Sequence, residues 1–339
     1  MKQENLRFAD LITVKSLFQA WDEFKKEKRS KRDVQRFERH LEDNLFNLYS
    51  QLKQKSYRHG AYQEFYVTDP KRRHIHKSSV RDRVLHHLLY QYLYKLFDQS
   101  FIYDSYSCRK DKGTHRAVKR LEKFSRIVSR NYSRGCWSLK CDISRFFASV
   151  DHRILKNLIV KKVKDEDINW LINKVINSFN LTPGKGIPLG NLTSQVFSNI
   201  YLNQLDQFVK HELKLKYYLR YADDFIVLSK TNKEFPSDVN AISRFLGDRL
   251  KLTLHPNKIL IKKLSWGIDF CGYLVLPHYI LPRTKTKRRI LKKIGPGSNF
   301  QALYSYLGYF SHASSYKLSQ ALRNQLFGLA SSVIILSPY

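Results

Sequence analysis

The sequence predicts an α+β fold, on three observations. Long segments repeat their apolar residues at helical spacing. Short alternating runs bounded by Gly, Pro, Asn and Asp stand between them. No Gly/Ser linker or low-complexity block interrupts the 339 residues, and no internal repeat is present. Twenty-one Tyr, twenty-one Phe and four Trp supply enough aromatic bulk for a packed core.

The elements follow in order. Residues 30–55 set Val34, Phe37, Leu41, Leu45, Leu48 and Leu52 on one stripe, which predicts a single amphipathic helix with a basic outer face. QEFYVTDPKRRHI (63–75) predicts a strand, a Pro-marked turn and a second strand. Val84, Leu85, Leu88, Leu89, Tyr92, Leu93, Leu96 and Phe97 keep one helical stripe. CWSLKCDI (136–143) alternates Trp137, Leu139 and Cys141, which suits a strand; VDHRILKNLIVKKV (150–163) suits a helix. TPGKGIPLGNLTS (182–194) is a Gly/Pro loop that leads into a helix. KYYLRYADDFIVLS (216–229) reads as a β-hairpin with its turn near Ala222–Asp223. A helix, LTLHPNKIL and IDFCGYLVL come next. From about residue 283 the chain is basic and helical, RTKTKRRILKKI carrying seven cations in twelve residues, and it ends in an apolar tail at Tyr339.

Charge narrows the partners. Lys and Arg number 61 against 29 acids, a net +32. Self-repulsion on that scale disfavours a compact chain unless a polyanion neutralises it, so nucleic acid ranks first and an anionic membrane surface second. No stretch of eighteen apolar residues is present and the N-terminus is charged, so neither a membrane span nor a signal peptide is expected, and a cytoplasmic location is. Cys108, Cys136, Cys141 and Cys271 form no CxxC pair and are expected to be reduced thiols.

RYADDFIVL (220–228) places Asp223 and Asp224 side by side in an apolar run. Two adjacent carboxylates there are costly unless a divalent cation shares them, and Mg²⁺ takes carboxylate and phosphate oxygens. Neighbouring strand residues point to opposite faces, so both acids are expected in the turn. Asp142, ending a predicted strand, is the expected third acid, giving a site for two metals. Asp151 and Asp206 are read as helix-end or surface acids.

The chain resembles the reverse transcriptases, in particular prokaryotic ones related to group II intron enzymes, over about residues 40–320. RRHIHKSSVRDRVLHH (72–87) looks like the fingers motif, and SYSCRKDKGTHRA (105–117) like the segment that follows it. CDISRFF (141–147), GIPLGNLTSQVFSNIYLNQLD (186–206) and YADD (221–224) are similar to motifs A, B and C. LHPNK (254–258) and FCGY (270–273) look like motif D and the primer grip. The resemblance implies a right-hand polymerase: an N-terminal basic helical extension (1–60), fingers (61–135), a palm (136–280) with a fingers insertion about 160–185, and a helical basic thumb (281–339).

By resemblance, Asp142, Asp223 and Asp224, with the Ile143 carbonyl, would bind two Mg²⁺ ions, with Mn²⁺ as substitute; Asp142 and Asp223 are the main ligands. Lys258 matches the motif D lysine, an acid for the leaving pyrophosphate. Arg73 matches the triphosphate clamp, with Lys71, Lys77 and Arg81 as helpers. Phe147 falls at the sugar-gate position, with Phe146 beside it. Gly190 lets backbone approach the nascent base pair. Cys271, Gly272 and Tyr273 would form the primer grip. Arg283, Lys285, Lys287, Arg288, Arg289, Lys292 and Lys293 would track the template–primer duplex.

Most reverse transcriptases read Gln-Gly-x-x-x-Ser-Pro in motif B. Here Leu189 replaces the Gln and Gln195 the Pro. That pattern resembles the enzymes of diversity-generating retroelements, which copy a template RNA with errors at adenines and pass the cDNA to a variable gene. An apolar Leu189 cannot hydrogen-bond near the incoming nucleotide, so lowered fidelity is expected. The implied partners are a structured template RNA, the RNA/cDNA duplex, dNTPs and a small basic helical oligomeric accessory protein. An antiphage-defence reverse transcriptase and a non-catalytic RNA-binding protein on the same fold are the alternatives.

Overall fold

The computed structural model describes residues 6–69, 71–293 and 300–324; Pro70 of the expected turn and the apolar tail lie outside them. The chain divides into two compact units, one built from Met1–Cys108, Ile143–Lys214 and Val239–His255, the other from Arg109–Asp142, Leu215–Asp238 and Pro256–Tyr339.

The first unit is mainly helical. Its helix Val80–Phe97 buries Val84, Leu85, Leu88, Leu89, Leu93 and Leu96, more than one face, because helices Val14–Lys25 and Leu192–Gln207 both pack on it. The stripe at 30–55 forms two helices, Arg32–Glu38 and Leu41–Lys53, not one. The break comes at His40 (φ −125°, ψ 43°), and the Phe37 carbonyl there accepts from the Asn44 side chain at 3.0 Å. Both pieces keep the expected face inward through Val34, Leu45, Leu48 and Leu52. Asp151 caps helix His152–Val160, accepting from the Ile154 amide at 3.1 Å. Asp206 does sit at a helix end, but it is fully buried, not a surface acid.

Strands β1 (Gln63–Val67) and β2 (Arg73–Lys77) pair antiparallel, Glu64 opposite His76 and Val67 opposite Arg73. The glycine loop before helix Leu192–Gln207 is clipped to β2. The His76 amide donates to the Leu189 carbonyl at 3.0 Å, and Asn191 donates to the His76 carbonyl at 2.7 Å. Ser78 donates to Asn191 Oδ1 at 2.7 Å. Gly190 lies in this clip at φ +107°, where a Cβ would stand 2.8 Å from Ile75 Cγ2. The fold itself therefore requires the glycine. Gly190→Ala is expected to cost roughly 1–3 kcal/mol of stability, read as a fall in Tm. Gly247→Ala, in helix Phe235–Leu250 with open space around it, should leave Tm unchanged or slightly raised.

The second unit holds two antiparallel sheets. In the first, β3 (Trp137–Asp142), β4 (Tyr218–Tyr221), β5 (Asp224–Ser229) and β6 (Leu260–Lys263) run in the order β4-β5-β3-β6. Helix Thr114–Val128 covers β4 and β5 with Ala117, Val118, Leu121 and Phe124. The second sheet is a meander of β7 (Ile268–Phe270), β8 (Tyr273–Leu276) and β9 (Tyr279–Pro282), the last not anticipated from sequence. Cys271 (φ 48°) and Gly272 (φ 90°) join β7 to β8 in the doubly left-handed conformation that two-residue hairpins favour. Helices Thr284–Lys293 and Phe300–Phe310 share a small core of Ile290, Leu303, Phe310 and Leu322.

Candidate active site

The three acids come from two strands and one turn of the second unit. β5 pairs with β3 so that Asp224 stands directly opposite Asp142. Directly opposed residues in an antiparallel pair share a face, so these two carboxylates point the same way. β4 and β5 are closed by the two-residue turn Ala222–Asp223, with Ala222 at φ 54°. Only Asp223 is therefore in the turn. Asp224, expected there too, is the first residue of the strand, because pairing with Asp142 on one side and Tyr221 on the other extends the ladder to it. Phe225, Ile226, Val227 and Leu228 are buried and hold β5 in the middle of the sheet. Arg220, fully buried, donates from Nη1 to the Ala222 carbonyl at 2.9 Å and braces the turn.

Two ammonium groups stand on the acids. Lys258, in the short turn Pro256–Lys258, donates to Asp142 Oδ1 at 2.7 Å. Lys140 lies 3.0 Å from Asp224 Oδ2 and donates to the Asp269 carbonyl at 2.8 Å. Burial pushes the Asp224 carboxyl up to about 6; Lys140 opposes that rise, and the Asp142 and Asp223 charges add to it. Asp224 Oδ1 is buried without a hydrogen-bond partner. A buried orphan carboxylate oxygen beside two further acids is a donor set of the kind that Mg²⁺ takes, hard and anionic, so these residues fit a divalent cation. Lys140 and Arg220 escaped the sequence reading. Lys140 carried a signal, since it precedes Asp142 by two residues on one strand and so shares its face; Arg220 carried none.

The turn Cys271–Gly272 is anchored on all sides. The Tyr273 hydroxyl donates to the Tyr309 carbonyl at 2.8 Å and the two rings stack at 4.8 Å. The Arg283 amide donates to the Gly272 carbonyl at 2.9 Å, and its Nε to Asp269 at 2.8 Å. Burial, and next the Asp224 charge, raise the Cys271 thiol, which puts this turn within the field of the acids. All four cysteines are free thiols. Along the basic helix Lys285, Arg288, Lys292 and Lys293 are exposed, and Lys287 and Arg289 half-buried.

The other expected contact residues belong to the first unit. Arg73 opens β2 and is exposed, as is Lys71 before it. Lys77 is paired with Asp33 at 2.7 Å and Arg81 with Asp82 at 3.1 Å. Phe146 is buried in the core; Phe147 beside it is half-buried, the rings edge-on at 5.5 Å. Leu189 and Gln195 are half-buried, the latter in the first turn of helix Leu192–Gln207. Ile143 is buried and its backbone bridges to Leu254.

The family model described as reverse transcriptase (RNA-dependent DNA polymerase) matches residues 68–275. The chain is similar to protein YkfC of Escherichia coli (strain K12), at 24% identity over 58% of this chain and 61% of that protein. It is also similar to the group II intron-encoded protein LtrA of Lactococcus lactis subsp. cremoris, at 23% identity over 68% of this chain and 49% of LtrA. The chain thus spans less than two thirds of either relative. Among solved structures, telomerase from Candida albicans in complex with a TWJ fragment of telomeric RNA superposes with a TM-score of 0.53 at 12% identity, covering 76% of this chain and 51% of that one. The fold is accordingly of the right-hand polymerase class. Among the described residues no helix is long and apolar enough to cross a membrane.

Proposed function

Because the chain belongs to the reverse transcriptase family, we propose that it is an RNA-directed DNA polymerase that copies a structured template RNA into cDNA. The observation that carries this reading is the in-register pairing of Asp142 with Asp224 beside the Asp223 turn, with an orphan carboxylate oxygen inside.

Asp142, Asp223 and Asp224, helped by the Ile143 carbonyl, would hold two Mg²⁺ ions (or Mn²⁺), which when bound acidify a primer 3′-hydroxyl and neutralise the triphosphate. Lys140 and Lys258 balance the acids' charge until then. Lys258 next supplies a proton to the departing pyrophosphate. Arg73, with Lys71, clamps the triphosphate through a guanidinium suited to phosphate oxygens. The half-buried Phe147 ring excludes a ribose 2′-hydroxyl, so dNTPs are preferred. Cys271, Gly272 and Tyr273 hold the primer end, and the cations from Arg283 to Lys293 follow the duplex backbone.

The test is extension of a primed RNA template with dNTPs and Mg²⁺. Labelled cDNA is the expected product. No extension by folded protein on any primed RNA overturns the reading.

The finer assignment is to a diversity-generating retroelement, with a small basic accessory protein as partner, and Leu189 with Gln195 supports it. Leu189→Gln should lower misincorporation opposite template adenine by about tenfold, the worth of one hydrogen bond of about 1.4 kcal/mol. Sequencing of the cDNA reads this directly, and an unchanged error spectrum rejects the role given to Leu189. A template repeat that differs from a neighbouring variable repeat only at adenines would support the biological assignment.

A further inference from the structure

We propose that Glu64, His74 and His76, on the β1–β2 hairpin, form a binding site for one divalent transition-metal ion, Zn²⁺ in the first instance. No step of the proposed polymerase chemistry uses these residues.

The site is built by strand register. Glu64 lies directly opposite His76, and directly opposed residues share a face. His74 precedes His76 by two residues on one strand, so it shares that face too. The side chains converge accordingly. His74 Nε2 is 3.0 Å from Glu64 Oε2, and His76 Nε2 is 3.7 Å from Glu64 Oε1. One donor atom from each residue falls within 4.8 Å of the other two. Ligands about 2.0–2.2 Å from a tetrahedral Zn²⁺ stand roughly 3.3–3.6 Å apart, so rotations of about an ångström close the set.

His76 is the second, independent observation. Only 5% of it is exposed, and Nδ1 is buried without a hydrogen-bond partner. Nε2, facing Glu64 at 3.7 Å, is beyond hydrogen-bond reach. Nε2 is therefore not tied up by a hydrogen bond to Glu64, and its lone pair is open to a metal ion on the Glu64 side. The ring is held by packing, edge-on against Phe179 at 4.5 Å, and its own burial favours the neutral form that ligates. Tyr66 stacks on His74 at 4.6 Å and fixes the second imidazole.

Two imidazoles and one carboxylate suit Zn²⁺ and its neighbours, whereas Mg²⁺ prefers oxygen ligands alone. Glu64 is exposed and His74 half-buried, which leaves the fourth position to water. A bound ion would tie β1 to β2 across the register from which Arg73 projects, stiffening the hairpin. The inference does not depend on the polymerase reading, since its readouts are metal content and spectra.

The test uses the full chain without a histidine tag, stripped with chelator and dialysed against Zn²⁺ with excess Mg²⁺ present. Wild type should retain about one zinc per chain and show a Tm rise with zinc. Co²⁺ in place of Zn²⁺ should give the visible absorption of a low-coordinate nitrogen–oxygen site. Glu64→Gln and His74→Ala, both at positions open to solvent, should each weaken retention at least tenfold and lose the zinc-dependent Tm rise. A double Asp223→Asn, Asp224→Asn variant should keep the zinc, which separates this site from the acids of the palm. Equal retention by wild type, Glu64→Gln and His74→Ala, or loss of the zinc in the palm variant alone, overturns the proposal. So does wild type that binds none while its circular dichroism shows it folded.

Discussion

Replacing any one of Asp142, Asp223 and Asp224 by Asn is expected to lower primer extension by at least about 10³-fold, roughly 4 kcal/mol of transition-state stabilisation. Circular dichroism should be unchanged. Asp224→Asn should in addition make the metal-free protein more stable, and this pairing of lost activity with gained stability distinguishes a functional acid from a structural one. The reason is electrostatic. Asp224 is held half-buried against two like charges, and its carboxyl rises from the ordinary 3.8 to about 6. A folded-state pKa above the unfolded value means that the group's stabilising contribution is fully present below about pH 4 and is lost as pH rises through about 6. Above that pH the ionised acid costs on the order of 3 kcal/mol. Asn mimics the protonated form at every pH. In chelator at pH 8 the variant should therefore melt a few degrees higher than wild type. At pH 4 the two should coincide. A variant less stable than wild type at pH 8 would show that Asp224 earns its place structurally, and retained extension by all three variants would end the catalytic assignment.

Lys258→Met is expected to slow the chemical step by about 10²–10⁴-fold, the usual worth of a positioned general acid. It should do a second thing as well. With its ammonium gone from Asp142 Oδ1, 2.7 Å away in the metal-free protein, the acids lose one compensating charge. Half-saturation should then come at several-fold lower Mg²⁺, so that rate and metal requirement fall together. Lys258→Arg separates the two roles. Arginine keeps the charge but does not give up its proton, so Arg should restore the Mg²⁺ requirement and leave the rate low. Single-turnover rates measured across a Mg²⁺ series give both quantities. If Arg restores the rate, Lys258 neutralises charge and is not the acid.

How far the sequence reached can be judged at particular residues. The hairpin around Ala222 and Asp223, the helix Val80–Phe97 and the strand ending at Asp142 were legible because periods of two and of about 3.6 report which face of one element is buried. The helix break at His40 was not, because the apolar stripe continues through it and only the local backbone departs. Asp206 was read as a helix-end or surface acid; it is at a helix end, but its full burial was not legible, because an acid near a helix end looks alike in sequence whether water or protein covers it. Lys140 was readable in principle from its two-residue spacing to Asp142.

By itself the sequence determined many of the elements, the polyanion-seeking charge of +32 and three acids at a strand end and a hairpin turn flanked by apolar residues. Only the tertiary structure decided that Asp224 faces Asp142, that Lys258 and Lys140 serve as their counterions, and that Glu64 meets His74 and His76. The physical reason is that side-chain periodicity is a property of one segment, whereas register between strands is set by the packing and hydrogen bonding of both. A slip of one residue would leave every period intact and turn one of those acids to the opposite face of the sheet.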